Sequence, residues 1–514
     1  MVTQHGIKLA VQLISSHFGD LVAKVCECLL RKGILTLQEV VRHTKLNPQN
    51  VTKCLLVLIQ HNCVQAFRME QQGGFGEASK VLVQYMVLFE NILHRMRFPK
   101  FLVIVSEELG KECEMVLEGL LQHGRLTLHQ IFERANKSNK NEAQDAIRES
   151  FIRLVNARYV ERCPAHEPFL VPPTEEETTA RKRGAKSAKI VEELETIEQR
   201  AIAAAAPMEA KRFLVITDTG TDVKGENNGD NSPSVTVGVK RKHGASEMDG
   251  ELGALEFEEK VTWRPNFEEF VRRLRHKACI ANVRSRLDDG SAVVLSSVLE
   301  ATRTAEKKVK TEHSVPISLN TIYEEVMKSE AGRTMTLDHV RASLVNLGCG
   351  KRGTDELYSI DLKNIIELAQ NDEVESIVLK RYGKEAYRMF RLLSNTSRLL
   401  ETDKISEITF VEKKDTAKIL YKLWKDEYLQ MEKLLLPASR QSHFLLWKVN
   451  KNTLWEHVLD EMYHASLNLS QRVAYELEQE NEVCLWKTHL LGYFSFELIL
   501  ISLCFFLVNY FGEL

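Results

Sequence analysis

No Cys-x-x-Cys pair occurs in this chain, although it holds ten cysteines. The nearest approaches, Cys26/Cys28 and His61/Cys63, have no second half at zinc-site spacing. A signal peptide is also missing, so free, mostly buried thiols in a reducing compartment are expected. There is no Gly-x-x-x-x-Gly-Lys-Ser/Thr loop, no Gly-x-Ser-x-Gly and no His-Glu-x-x-His. Those absences remove the P-loop, nucleophile-elbow and zincin chemistries in turn. "GCGKRG" at Gly348 reads only as a glycine-rich turn, and no carboxylate pair sits in a glycine-framed loop. No catalytic residue, cofactor or metal site is therefore expected. Charge of one sign is lacking too: 69 Lys and Arg against 71 Asp and Glu leave a net −2. Any affinity for nucleic acid has to come from local patches.

What is present is a repeat. A length of 514 residues exceeds what one core of ~250–300 residues accommodates. The chain spells "LLRKGILTLQEVVRHT" from Leu29 and "LLQHGRLTLHQIFERA" from Leu120. Thr36 with Glu39, and Thr127 with Gln130, have the spacing of capping boxes, which start helices. Leu37, Val40 and Val41 share one helical face, as do Leu128, Ile131 and Phe132. A second helix follows each time. The first copy opens with Asn47-Pro48 and carries Val51, Cys54, Leu55, Leu58 and Ile59; the second carries Ile147, Phe151, Leu154 and Val155. Extended pieces come next ("NCVQAF" at Asn62, "ARYVERC" at Ala157), and in the first copy a glycine-rich tip and an alternating strand complete a hairpin signal. Short helices plus a hairpin describe a winged helix-turn-helix, whose helices need a preceding one to pack on.

Two weaker copies are expected downstream. One has Leu319, Ile322 and Tyr323, then a helix from Thr336, a glycine-rich turn and a strand. The other starts at Lys404, with Asp415 as helix cap, Thr416, Ile419, Leu420, Leu423 and Trp424 inward, and "HFLLWKV" closing the wing. Between the pairs the chain turns polar and poor in aromatics, which predicts a largely disordered linker with a possible helix at "IVEELETIEQRAIAAAA". Its clusters Arg181-Lys182-Arg183 and Lys240-Arg241-Lys242 fit either nuclear import or a solvated charge run. From Thr453, Trp455, Val458, Met462, Ala465, Leu469, Val473 and Leu477 recur at steps of three or four, as in a coiled-coil stalk. The expected fold is mainly α with small β wings: four tandem extended winged helices and a C-terminal coiled-coil helix. The expected division is 1–90, 91–170, linker 171–258, 259–368, 369–450, stalk 451–484 and apolar tail 485–514.

Candidate phosphate contacts are Arg272, Arg273, Arg275, Lys277 and Arg284 on one amphipathic helix, Lys351 and Arg352 at a wing tip, and Lys413, Lys414 and Lys418 on the second helix of the fourth module. The second helices of the first two modules are poor in cations, offering Lys53, and Arg148 with Arg153, so protein contacts are expected there. Candidate docking residues are Trp263, Phe270, Trp455, Val458 and Met462.

"HFGDLV" at His17, "RMRFPKF" at Arg95, "LLQHGRLT" at Leu120 and "VTWRPNFEEFVRRLRHKACIANVRSRL" from Val261 resemble the third subunit of RNA polymerase III, over about residues 1–482. The resemblance implies a non-catalytic nuclear subunit on the polymerase clamp. Its implied partners are two smaller subunits (one a winged-helix protein, one with an acidic tail), the polymerase III initiation factor, and promoter DNA without sequence selectivity. It further implies work in promoter recruitment, initiation and stabilisation of melted DNA during synthesis of small RNAs such as tRNA and 5S rRNA. Nucleotide addition, with its magnesium, falls to other subunits, and no small-molecule substrate is implied. The alternative is a free-standing winged-helix regulator binding DNA. The chain departs from the family after Asn481, where Leu490 to Phe511 is nearly all apolar, with Glu497 and Asn509 as interruptions. About 20 such residues span a bilayer, so the tail is an altered terminus, a membrane anchor, or a segment buried against partner subunits.

Overall fold

In a computed structural model the chain is described for residues 2–71, 80–138, 144–170, 196–215, 261–303, 305–306, 311–349, 351–352, 357–396, 398–435 and 443–484. The described residues are mainly helical, with four small sheets whose pairings are antiparallel but for one. They divide into two compact units, residues 13–267 and residues 1–12 with 268–514.

In the unit of residues 13–267, the repeated Gly-x-Leu-Thr-Leu string acquires a residue-by-residue meaning. Gly33 ends the Asp20–Lys32 helix at φ +83, and Gly124 ends Lys111–His123 at φ +78, backbone that residues with a Cβ rarely adopt. Leu35 and Leu126 then enter two-residue strands, and the threonines start the next helices. The Thr36 N–H donates to Glu39 Oε2 at 2.8 Å while the Glu39 N–H donates back to Thr36 Oγ1 at 3.4 Å. Thr127 and Gln130 repeat the exchange at 3.1 and 3.3 Å. Both capping boxes are thus formed. Leu37–Thr44 is followed by a left-handed Lys45 (φ +56), and Asn47 with Pro48 starts Pro48–Gln60, which buries Val51, Cys54, Leu55 and Leu58.

The first hairpin pairs Val64–Gln71 with Lys80–Val87 from Val64↔Val87 to Gln71↔Lys80, and Leu35–Thr36 adds to its second strand. The glycine-rich tip predicted at its turn lies outside the described residues. Phe169–Leu170 runs parallel along its other edge, opposite Arg68 and Met69. Within the predicted linker, Thr196 caps an Ile197–Ala205 helix whose Ala201 packs with Phe67, Met86 and Leu170. Part of that linker is therefore a cover for the first sheet. The basic clusters at Arg181 and Lys240 fall outside the described residues.

The second sheet corrects an expectation. Thr262–Pro265, read from sequence as the entry to the third module, pairs with Val160–Arg162 (Glu161↔Arg264) and with Leu126–Thr127 (Leu126↔Trp263). It completes the sheet of the second repeat from about a hundred residues downstream. Buried Glu161 holds it through Arg264 at 2.8 Å, and Asn266 Nδ2 donates to the Arg158 carbonyl at 2.8 Å.

From residue 268 the other unit holds nearly all of the Phe267–Arg286 helix and then Asp289–Thr302, capped by Asp288. Ser318 and Thr336 cap Leu319–Lys328 and Leu337–Asn346, and strands Ile317–Ser318, Lys351–Arg352 and Leu357–Tyr358 form one sheet over a core of Leu295, Ile322, Val340 and Leu344. Leu362–Tyr382, Lys384–Thr396, Thr402–Thr409 and Lys413–Lys425 follow, then a hairpin of Gln430–Leu435 with His443–Lys448. Asp415 does not cap Lys413–Lys425. The helix starts two residues earlier, behind Glu412, and Asp415 lies in its first turn, where its carboxylate accepts from Lys418 Nζ at 3.0 Å.

The final helix, Lys451–Cys484, runs for 34 residues. Leu454, Trp455 and Val458 enter one core with Phe390, Leu420, Tyr428 and Trp447. Further along, Tyr463, Ser466 and Leu467 are buried, whereas Ala465, expected on the inward stripe, is exposed. The N-terminal residues supply a neighbour: His5 Nδ1 meets Asp460 Oδ2 at 2.8 Å, and the His5 and His464 rings lie 4.4 Å apart. The first turns of this helix are thus a core element of the chain itself. No helix among the described residues is long and apolar enough to cross a membrane, and the tail at 485–514 lies outside them.

Candidate interaction surfaces

The cations singled out on Phe267–Arg286 separate sharply. Arg272 is buried, paired with Glu269 and 3.6 Å from Glu306, with Glu269 itself fully buried. Arg273 Nη1 donates to Glu300 at 2.7 Å, and Arg303 Nε donates to Glu269 at 2.9 Å. Opposed to burial, hydrogen bonds and charge from Arg273 and Arg303 hold the Glu300 carboxyl below its ordinary range. Arg275 Nη2 donates to the Thr311 carbonyl at 2.7 Å. Arg272 is corrected from a phosphate contact to an internal ion pair, because a buried guanidinium needs its partners inside, while Arg273 and Arg275 are part-buried and engaged by Glu300 and the Thr311 carbonyl. Lys277 and Arg284 are exposed, Arg284 lying 3.1 Å from Asp289. The backbone of Lys351–Arg352 pairs with Leu357–Tyr358, next to residues outside the described set.

The fourth segment keeps its cations outside. Lys413, Lys414 and Lys418 are all exposed; Lys413 Nζ donates to Asp403 at 3.0 Å and Lys418 to Asp415 at 3.0 Å. Lys422, on the same helix, lies over the Tyr382 ring at 5.2 Å. Exposed surface pairs of this kind contribute little to stability, so these lysines stay available to another anion.

Four of the five expected docking residues are core. Trp263 meets the edge of Phe151 at 5.2 Å between centroids, and Phe270, Trp455 and Val458 are buried; only Met462 is part-exposed. Large apolar side chains at regular spacing announce burial, and the element they face belongs here to the same chain.

Two aromatics went unnoticed in the sequence. Phe410 is 93% exposed and sits at φ +55, left-handed backbone, in the turn between Thr402–Thr409 and Lys413–Lys425. A bulky residue there carries conformational strain and an open apolar face together, a combination associated with functional positions. Tyr421, on the second helix, is 57% exposed and stands 5.3 Å from the Trp424 ring. The alignment of Phe410 with Lys45 in the first helix-turn-helix was the available signal: glycine or asparagine is usual at such a turn.

Capped helix pairs with small sheets define a mainly helical protein of helix-turn-helix elements. Comparison with known proteins identifies the family. A family model described as RNA polymerase III subunit RPC82 helix-turn-helix domain matches residues 8–69, and one described as RNA polymerase III subunit RPC82 matches residues 149–416. The chain belongs to this family. It is similar to DNA-directed RNA polymerase III subunit RPC3 of Danio rerio, at 26% identity over 496 residues, covering 94% of this chain and 86% of that protein. The Homo sapiens subunit is 22% identical with the same coverage, and that of Dictyostelium discoideum is 20% identical, covering 92% of each. The chain is a non-catalytic component of RNA polymerase III, and its partners are other subunits of that enzyme.

Proposed function

We propose that the chain is built as four winged helices and acts in the nucleus during promoter recruitment and opening, holding melted DNA through contacts that do not read sequence. The modules are centred on the helix-turn-helix pairs at 37–60, 128–156, 319–346 and 402–425, with strand 262–265 assigned to the second. Two smaller subunits, the clamp and the initiation factor are the protein partners, met mainly by the first two modules, whose second helices offer few cations.

The observation that carries this reading is the fourth helix-turn-helix, where Phe410 and Tyr421 present open rings among exposed Lys413, Lys414 and Lys418. Lysines track a phosphate backbone, and aromatic faces stack unpaired bases whatever their identity. Lys277, Arg284, Lys351 and Arg352 extend the same role to the third module. The test compares the assembled polymerase with a Lys413→Glu/Lys414→Glu/Lys418→Glu form on promoter DNA. Affinity for a pre-melted bubble should fall about tenfold or more, with the salt slope reduced by about three. Phe410→Ala should weaken bubble binding and spare duplex binding. Unchanged bubble affinity in both variants would overturn the assignment.

A further inference from the structure

The "RMRFPKF" string, which carried part of the family resemblance, holds a cation for which the described structure supplies no anion. Arg95 lies in the short turn after the Phe89–Leu93 helix, with its guanidinium carbon 4.6 Å from the centre of the Phe18 ring and 5.4 Å from that of Phe98. Cys63 lies beside it as a neutral neighbour. The His61 ring stands 4.5 Å from Phe18, on the same cluster. Arg95 makes no ion pair among the described residues, its Nε is buried without a hydrogen-bond partner, and so is His61 Nδ1. Burial first, and the Arg95 charge second, hold His61 down at about 4 and His17 below its ordinary value. Everything facing this guanidinium is therefore neutral or cationic.

Elsewhere among the described residues Arg272 is matched by Glu269, and part-buried Arg212 and Arg264 by Glu161, while buried Arg125 donates to Asn62 Oδ1 at 2.9 Å in place of a carboxylate. A half-buried guanidinium clamped between two aromatic rings is fixed in place and needs an oxygen anion to complete it. The Pro48–Gln60 helix offers Lys53 as its one cation, and Arg97 in the same turn as Arg95 is buried, so few open cations are at hand to lead a nucleic-acid backbone to the spot. A single planar carboxylate suits the arrangement better.

We propose that Arg95, framed by Phe18, Phe98, His61 and Cys63, is the receptor for an aspartate or glutamate side chain of another RNA polymerase III subunit. The inference rests on membership of that enzyme and names one contact by which the chain is held in it. The carboxylate completes the arginine's hydrogen bonds on assembly, and the interface is weakened by salt.

The test uses the full chain, alone and assembled with the remaining subunits. With Arg95→Met, the isolated chain should melt at the same temperature as wild type or higher, since an uncompensated cation has been replaced by an apolar chain of similar length. The same variant should dissociate from the polymerase about tenfold more readily, at lower salt, while Lys53→Gln behaves as wild type. Arg95→Lys in the assembled enzyme, treated with a carbodiimide, should couple residue 95 to an acidic residue of a different subunit. Three results would overturn the proposal: a lower melting temperature for Arg95→Met with assembly unaffected; a cross-link into this chain's own acidic residues; or weakened DNA binding with unaltered assembly. Failure of the wild-type chain to assemble would instead strike at the polymerase reading itself.

Discussion

Gly33 and Gly124 occupy the same place in the repeat, yet only one of them is hemmed in. A Cβ at Gly33 would meet nothing within 4 Å, whereas at Gly124 it would lie 2.1 Å from the Gln60 carbonyl oxygen. Gln60 ties the first two repeats together: Arg125 N donates to its carbonyl at 3.0 Å, and its own amide donates to the His123 carbonyl at 3.0 Å. Gly124→Ala should therefore destabilise the chain by about 2–4 kcal/mol in chemical denaturation, and Gly33→Ala by distinctly less. His61 sets a pH dependence. Its ordinary value of 6.5 applies when unfolded, and burial holds it at about 4 when folded. As pH falls from 6.5 towards 4 the unfolded chain takes up a proton that the folded chain refuses. Stability is then lost, on the order of 1–2 kcal/mol given partial exposure, with no effect above that window. Unfolding curves at pH 7 and 4.5 should converge between His61→Gln and wild type as the acid end is reached, the wild type losing more. At this scale the sequence displayed the caps and the inward apolar residues, because spacing alone encodes them. It did not display which arginines are internal: Arg272 and Lys277 look alike on a helix until Glu269 and Glu306, the second of them far along the chain, are seen to close around one of them.

Among elements, the Lys451–Cys484 helix shows how a periodic stripe misleads about its partner. Trp455 and Val458 face the core of the preceding hairpin and helices, so Trp455→Ala should lower the stability of the isolated chain by about 3–5 kcal/mol, measurable by thermal melting without any other subunit. A docking residue would leave that melt unchanged. Thr36→Ala removes one capping box and should cost about 1 kcal/mol, with Thr36→Ser restoring most of it. The Glu39 carboxylate, held below its ordinary range by hydrogen bonds from Thr36, contributes above that range and loses its part as pH falls through the lowered value. Short helices between caps were legible from sequence because capping residues are local signals. The strand at Thr262–Pro265 was not, since its partners Leu126 and Glu161 lie across the linker and no local pattern reports a pairing at that separation. Trp263, expected as a docking residue, is buried against Phe151.

For the whole molecule, the proposed division of labour gives promoter opening to this subunit and nucleotide addition to the rest of RNA polymerase III. The family places the chain in the enzyme, and the proposed role in promoter opening rests on the exposed Phe410–lysine face. The most direct measurement adds the purified chain to a polymerase assembled without it, and follows RNA synthesis on a closed promoter and on a template already melted and primed. Synthesis from the closed promoter should depend on the added chain, while extension of the primed template should proceed at the same rate with or without it. Loss of primed extension in the chain's absence, or promoter opening that does not need it, would contradict the account.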